Sequence, residues 1–482
     1  MKLPVLVFGG LALLALSANA QTVLLDDGFD PGIGPDAGVS CVALQPDGKV
    51  FVGGLFDQYN NGTFMSLRAA RLNADGSLDE SFSPDNGAIG GSITDILIQN
   101  DGKILFLGAQ RIAFPANNVG VVRTNADGSL DTSFDMQGAG FDGTPNTGGI
   151  LPDGKIVVAG GFSTFNGIPR NGIARLNADG TLDTSFDPQG GFDQAPEVIV
   201  RQPDGKFLVG GYFNAYNGVE RNHILRLNAD GSLDTSFDPG DELTDDVRAI
   251  GLQPDGKLIL GGNLIENFPF GVIRPRIIRL NADGSVDSSF DPGDGFNSYP
   301  LAFFIQSDGK IVTSGDFTTY NGTTIRGIAR LNSDGSLDAS FDPGEGFQRD
   351  GNPFLAFVND MVVQPDGKII AVGNYETYDG TARNRIARLI GDGGTVHVGH
   401  PREAQTPFKL YPNPSAGWLA IDAAVPNAEL QVLDGSGRLV HVQTLIQAHA
   451  TLDLNHLPNG GYIVRVLDNG TAVQSQTVLI QR

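Results

Sequence analysis

The chain has one cysteine, one tryptophan and six histidines in 482 residues. With Cys41 alone, no intramolecular disulfide can form, and its place in the apolar run Val39 to Leu44 reads as a buried, inert thiol. His223 is the only histidine between residues 21 and 390, so histidine-based zinc chemistry and Ser-His-Asp catalysis lack their parts there. Positive charge is scarce: 32 Lys and Arg stand against 55 Asp and Glu, a net charge of −23. Nucleic acid and anionic membranes are bound through clustered cations, so neither is an expected partner. Long apolar runs are missing as well. The longest, Leu3 to Leu16, is shorter than the about 20 residues of a spanning helix. With Lys2 before it and Ala18-Asn19-Ala20 after it, the layout is that of a signal peptide over residues 1–20, and the mature chain would start near Gln21. No later segment could cross a bilayer, and apolar residues keep helical spacing nowhere, so almost no helix is expected.

What is plentiful is turn chemistry, with 66 Gly and 27 Pro, and it is periodic. Asp-Gly-Lys recurs at Asp47, Asp101, Asp153, Asp204, Asp255, Asp308 and Asp366, at intervals of 54, 52, 51, 51, 53 and 58 residues. A second motif, Arg-Leu-Asn-x-Asp-Gly-Ser-Leu-Asp, follows it, beginning at Arg71, Arg175, Arg226, Arg279 and Arg330, and at Arg123 with Thr124 in place of Leu. In the third unit an apolar run ends at Leu151 and turns at Pro152-Asp153-Gly154. Lys155 to Phe165 is a second strand, closed by Asn166-Gly167, a dipeptide suited to a two-residue hairpin. Gly172 to Asn177 is a third strand, and Thr181 to Asp187 a short fourth. Four antiparallel strands on tight turns make one propeller blade, whereas a β-solenoid would have shorter, parallel coils. The expected fold class is all-β: a seven-bladed β-propeller over residues 21–394 plus a small C-terminal β-sandwich. Leu25 to Gly32 aligns with a repeat tail such as Leu233 to Gly240, and the last unit breaks down at Arg388 to Gly393 where its own tail is due. The N-terminal segment is therefore expected to supply the outer strand of the seventh blade and hide two sheet edges.

These repeats resemble the delta-60 repeat, a β-propeller repeat of bacterial secreted and surface proteins. The resemblance implies a fold, with no general reaction attached. After a linker at residues 395–406, residues 407–482 alternate apolar and polar residues over short runs, as in Leu430-Gln431-Val432-Leu433 and Tyr462-Ile463-Val464-Arg465-Val466. This tail resembles the type A sorting domain of the bacteroidete type IX secretion system. The matching residues are Tyr411-Pro412-Asn413-Pro414 with Gly417, Asp434-Gly435-Ser436-Gly437-Arg438, and Asn459-Gly460-Gly461-Tyr462. It implies Sec export, recognition of the tail by the outer-membrane machinery, and release of the passenger or its attachment to surface lipopolysaccharide.

No catalytic residue and no cofactor is expected. Asn-x-Asp-Gly-x-x-Asp, as in Asn177 to Asp183, resembles part of a calcium loop, but an Arg stands two residues before each Asn, where a further carboxylate is usual. Asp as a turn cap, with Arg paired to a carboxylate, is the simpler reading. The recurrent aromatics Phe165, Tyr216, Tyr320 and Tyr378, before Asn-Gly or Asp-Gly, and Tyr59 before Asn60, fit packing between blades better than sugar stacking.

Strand alternation puts the Asp-Gly-Lys and Asn-x-Asp-Gly turns on one end of the ring, and the Asn-Gly turns and blade connections on the other. Variation gathers on that second end: Arg111 to Asn118, Asn263 to Pro275, and Gly346 to Pro353. Loops that escape scaffold constraints carry binding, so Phe114, Phe268, Phe270, Arg274, Arg276, Arg349 and Phe354 are the candidate ligand contacts. A binding module for a glycan or protein, a polysaccharide hydrolase or lyase with carboxylates near the channel, and a structural matrix component remain the three readings.

Overall fold

The computed structural model describes residues 21–65, 67–84, 89–111, 118–240, 243, 245–265, 275–391, 409–411, 418–422, 429–433, 439–444, 449–468 and 471–480. The signal peptide and the linker expected from the sequence lie outside these residues. Seven antiparallel sheets follow one another along the chain. Their three strands are Val39–Leu44, Val50–Gly54 and Ala69–Leu72 in blade 1; Asp95–Ile98, Ile104–Arg111 and Asn118–Thr124 in blade 2; and Thr144–Ile150, Ile156–Gly161 and Ile173–Leu176 in blade 3. Blade 4 has Pro196–Arg201, Phe207–Gly211 and Ile224–Leu227; blade 5 has Val247–Leu252, Leu258–Ile265 and Pro275–Leu280. Blade 6 has Pro300–Ile305, Ile311–Gly315 and Ile328–Leu331; blade 7 has Phe357–Val363, Ile369–Asn374 and Ile386–Ile390. The first strand of each blade touches the first strands of both neighbours, and that of blade 7 returns to blade 1. The first strands therefore surround the axis of a closed ring. The core lies between blades: Val42, Val52 and Leu72 of blade 1 pack with Ile370, Val372 and Ile386 of blade 7.

Ring closure uses residues 21–29. Leu24 and Leu25 pair antiparallel with Ile390 and Leu389, giving blade 7 its fourth strand. Gln21 and Thr22 run parallel to Phe341 and Asp342 of the preceding unit. Val23 is buried, and its carbonyl accepts a 2.7 Å hydrogen bond from Tyr378 Oη.

The repeated Arg and Asp form a clamp from blade to blade. Arg71 Nε donates to Asp79 Oδ2 at 2.7 Å, Nη2 to Ser81 Oγ at 3.0 Å, and Nη1 to the carbonyl of Ala126, in the next blade's Asn-x-Asp-Gly turn, at 2.6 Å. Lys49 of the Asp-Gly-Lys turn also reaches Asp79 at 2.7 Å, and the guanidinium lies 5.1 Å from the Phe82 ring. Blade 7 has no tail of its own, and Asp26 and Phe29 stand in for it: Arg388 and Lys368 bond Asp26, Arg388 lies over Phe29, and its Nη1 reaches Ala74 O of blade 1. The last clamp thus joins residues at both ends of the propeller.

The blade departs from the sequence reading in two places. The fourth strand shrinks to one bridge, Leu176 to Leu182 in the third unit. The chain turns at Asp183, whose Oδ1 accepts from the Ser185 N–H and hydroxyl, and the following residues tuck Phe186 under Arg175. Lys155 to Phe165 is also not one strand. It leaves the sheet after Gly161, and Thr164–Phe165 pairs with Ile168–Pro169 in a separate two-stranded ribbon. Asp142 sets that break, its Oδ1 accepting from the N–H groups of Ser163 and Thr164. Asn166 and Gly167 both have positive φ, 51° and 76°, as a type I′ turn requires. Among the described residues the one helical element is a single 3-10 turn, Pro353–Leu355.

In the tail, Lys409–Tyr411, Trp418–Asp422 and His449–Asp453 form one sheet, and Glu429–Leu433, Leu439–Thr444, Gly460–Asp468 and Thr471–Ile480 another. One cluster takes Leu419 and Leu452 from the first and Leu430, Val432 and Val464 from the second.

Candidate binding site at the channel mouth

The middle strand of every blade carries a glycine at the same place: Gly54, Gly108, Gly160, Gly211, Gly262, Gly315 and Gly373. A Cβ at Gly315 would lie 2.0 Å from Tyr299 O, and one at Gly262 2.1 Å from Asp246 O. This close approach accompanies a bulge in the first strand. In six blades the pairing with the middle strand skips one residue: Ser40, Asn146, Glu197, Arg248, Leu301 or Asn359. Thr94 takes that place in blade 2, its N–H bonded to Leu107 O. A bulged residue is released from the ladder and its side chain re-aimed. Here all seven side chains line one cavity of about 360 Å³ in the mouth of the channel. Ile199, Ile250 and Phe303, from the same strands, line it too.

The ring divides into two parts. Thr94, Asn146 and Asn359 stitch neighbouring blades, donating to the carbonyls of Pro145, Pro196 and Val39 at 2.7, 3.2 and 2.8 Å. Glu197 and Arg248 form the charged sector. Arg248 donates through Nε to Asp246 and through Nη2 to Tyr212 Oη at 2.8 Å, and its guanidinium lies 4.5 Å from the Tyr299 ring. Burial raises the pKa of Glu197; Arg248 opposes the shift and Asp246 adds to it. Tyr212 is raised as well, by burial first. Arg248 itself goes up despite its burial, because Asp246 bonds its charged form.

Of the residues expected to contact a ligand, Arg276 belongs to this neighbourhood: it stacks 4.7 Å from the same Tyr299 ring and reaches Asn263 Oδ1 at 3.4 Å. Arg349 and Phe354 lie apart from it, on the connection into blade 7. Arg349 Nε is 3.9 Å from Glu376, and Phe354 is 75% exposed. Phe114, Phe268, Phe270 and Arg274 fall outside the described residues, as do Pro412, Asn413, Pro414, Gly417, Gly437 and Arg438 of the tail. Gly461 and Tyr462 lie in the strand Gly460–Asp468, where Tyr462 Oη bonds Pro458 O at 2.9 Å. The recurrent Tyr59, Phe165, Tyr216, Tyr320 and Tyr378 are all buried between blades. The Asn-x-Asp-Gly turns use their groups internally: Asp75 Oδ1 accepts from Ser77 N and Oγ, and Asn73 donates to Ser77 Oγ.

Sequence reasoning on the loops missed the ring of bulged residues. The signal was present seven residues before each Asp-Gly-Lys aspartate, where the repeats carry Ser, Thr, Asn, Glu, Arg, Leu and Asn. A repeat position that takes six residue types in seven units, while the turn motifs on either side of the strand pair recur, marks a surface released from the scaffold.

The family described as "Domain of unknown function (DUF5122) beta-propeller" matches residues 45–82, 99–134, 151–186, 202–237, 253–290, 306–341 and 364–393, more than half of the chain. The chain belongs to this propeller family. Residues 409–481 match the "Secretion system C-terminal sorting domain", so this DUF5122 propeller carries the tail of type IX export to the medium or the outer cell surface. No curated relative matches the propeller chain. Among solved structures it is similar to PorZ, described as an essential bacterial surface component of the type IX secretion system of Porphyromonas gingivalis. Identity is 12% and the TM-score 0.38, over 91% of this chain and 59% of that one. It therefore spans less than two thirds of PorZ. It is also similar to the Pan2 WD40 domain of Neurospora crassa, at 10% identity and a TM-score of 0.40 over 74% of this chain and 88% of that one. No helix among the described residues is long and apolar enough to cross a membrane.

Proposed function

We propose that the DUF5122 propeller is a non-enzymatic binding module, exported by the type IX machinery, that holds an extracellular glycan or protein at the variable end of its ring. The observation that carries this reading is the set of seven bulged side chains. The fold repeats its clamp in every blade yet gives seven positions around the channel mouth six different residue types. A channel comes with any propeller, but here a cavity of about 360 Å³ in its mouth carries a charged, half-buried sector, where binding groups gather. The hydrolase reading has one observation behind it, the raised pKa of Glu197. The nearby carboxylate of Asp246 is held by Arg248, and that of Asp360, in the same cavity, accepts the N–H groups of Val42 and Met361, so both are engaged within the scaffold. After export the propeller is either released or tethered to surface lipopolysaccharide. A binding and turnover screen of the mature chain against glycans and secreted proteins tests the proposal. Retention of a ligand that Tyr212→Ala weakens supports the module, and product formation from a polysaccharide overturns it.

A further inference from the structure

A second cavity, of about 510 Å³, lies between blades 3 and 4 on the variable end. It adjoins the channel mouth. Gly160 on its wall abuts Asn146 of the ring, and Ala195, two residues before Glu197, accepts a 3.1 Å hydrogen bond from the Tyr212 N–H. The cleft exists because blade 3 carries Gly161 where blade 1 carries Leu55 and blade 4 carries Tyr212.

Three features narrow what could lie along both cavities. The first is charge. Arg248 is the one cation among the described lining residues, and Asp246 and the Tyr212 hydroxyl already engage it, while Asp193 and Glu197 are acidic. Asp360 lines the channel mouth too, so even with Arg276 beside the Tyr299 ring the acids outnumber the cations, which disfavours a polyanion. The second is the character of the walls. Gly160, Gly161, Gly172, Gly190, Gly191 and Gly218 line the cleft, so backbone groups and small side chains face it, and the rings of Phe162 and Phe192 are buried beneath. The N–H groups of Gly160, Gly172, Gly190 and Gly191 are bonded within the scaffold, so the exposed side chains of Ser163, Asp193 and Gln194 are what the cleft offers, and hydroxyls, each both donor and acceptor, suit them. The third is Tyr212 at the junction, 39% exposed and anchored through its oxygen by Arg248, so that a fixed ring can meet the C–H face of a sugar.

Resting on the binding-module reading above, we propose that the ligand is an uncharged polysaccharide chain. One sugar sits in the channel mouth against Tyr212, and the following units lie in the glycine-walled cleft between blades 3 and 4.

Gly161 provides the test. Its φ is not in the left-handed region, and a Cβ there meets only Ala195 Cβ at 3.9 Å. The first side-chain atom is thus accommodated, so Gly161→Leu, copying blade 1, projects into the cleft, and Gly161→Ser does so less. Calorimetric titration uses the mature full chain with neutral glucan, mannan and xylan oligomers, from disaccharide to hexasaccharide, and polygalacturonate as the anionic comparison. Wild type should bind one neutral series with affinity that rises with length. Gly161→Leu should weaken the hexasaccharide by about tenfold and the disaccharide by less, leaving the melting temperature unchanged, with Gly161→Ser in between. The proposal is overturned if no neutral series binds, if polygalacturonate binds more tightly, or if both variants hold the hexasaccharide like wild type. Should no sugar bind while a protein ligand is lost on Tyr212→Ala, the binding module stands and only the polysaccharide falls. If Tyr212→Ala alters no ligand at all, the module itself fails.

Discussion

Each clamp aspartate is a buried acid that stays ionised because its partners outweigh burial. Burial pushes Asp79 upward, but hydrogen bonds from Lys49, Ser81 and Arg71 hold it well below the usual carboxylate range, and Asp131, Asp183, Asp234, Asp287 and Asp338 behave alike. A carboxyl depressed in the folded state contributes stability above its unfolded value of about 3.9 and loses it as pH falls through the folded value. Six such sites, with Asp26 as a seventh lowered one, make the propeller progressively less stable below about pH 4. Urea midpoints measured down the pH scale check this, and a midpoint that holds steady through that range contradicts it. Removing one cation leaves the acid with Lys alone: Arg226→Met should destabilise by about 3 kcal/mol, the lower end for breaking a buried pair, since Lys206 still reaches Asp234 at 2.7 Å. The bulge glycines are less forgiving for a different reason, backbone contact. Gly315→Ala forces a methyl group against Tyr299 O, and its melting temperature should fall much further than that of Gly149→Ala, where nothing lies within 4 Å.

At the scale of elements, the strand Leu24–Leu25 and the Asp26–Arg388 clamp hold the ring shut. Deleting residues 22–32 should expose two sheet edges and a buried, unpaired Arg388, with lower melting and faster proteolysis. Unchanged melting of that truncation contradicts the closure. This closure was legible in the sequence, because Leu25 to Gly32 copies the tail that the last unit lacks. The seven units and their hairpin turns were legible for the same reason: turn residues mark strand ends directly. The fourth strand was misread because Leu182 keeps the apolar pattern of a strand while Asp183 and Ser185 turn the chain after a single bridge. The channel ring escaped because a bulge breaks the alternation on which strand reading depends. Glu197 and Arg248 look like outward residues of an ordinary strand until the pairing skips them.

At the scale of the whole molecule, one end of the ring is uniform and the other varied. The uniform end holds the Asp-Gly-Lys and Asn-x-Asp-Gly turns, joined by contacts such as Lys49 to Asp79 and Arg71 to Ala126. The varied end gathers the bulged residues, Tyr212, Tyr299 and Arg276 around the channel mouth. Division of labour between a repeated scaffold and an unrepeated surface is how repeat proteins build binding faces. Its most direct test is a binding screen of the full chain beside Tyr212→Ala and a variant of the opposite end, Asp204→Ser, all with comparable melting. The account predicts a ligand held by wild type and Asp204→Ser and weakened at least about tenfold by Tyr212→Ala. A ligand held equally by all three, or lost only in Asp204→Ser, would contradict it.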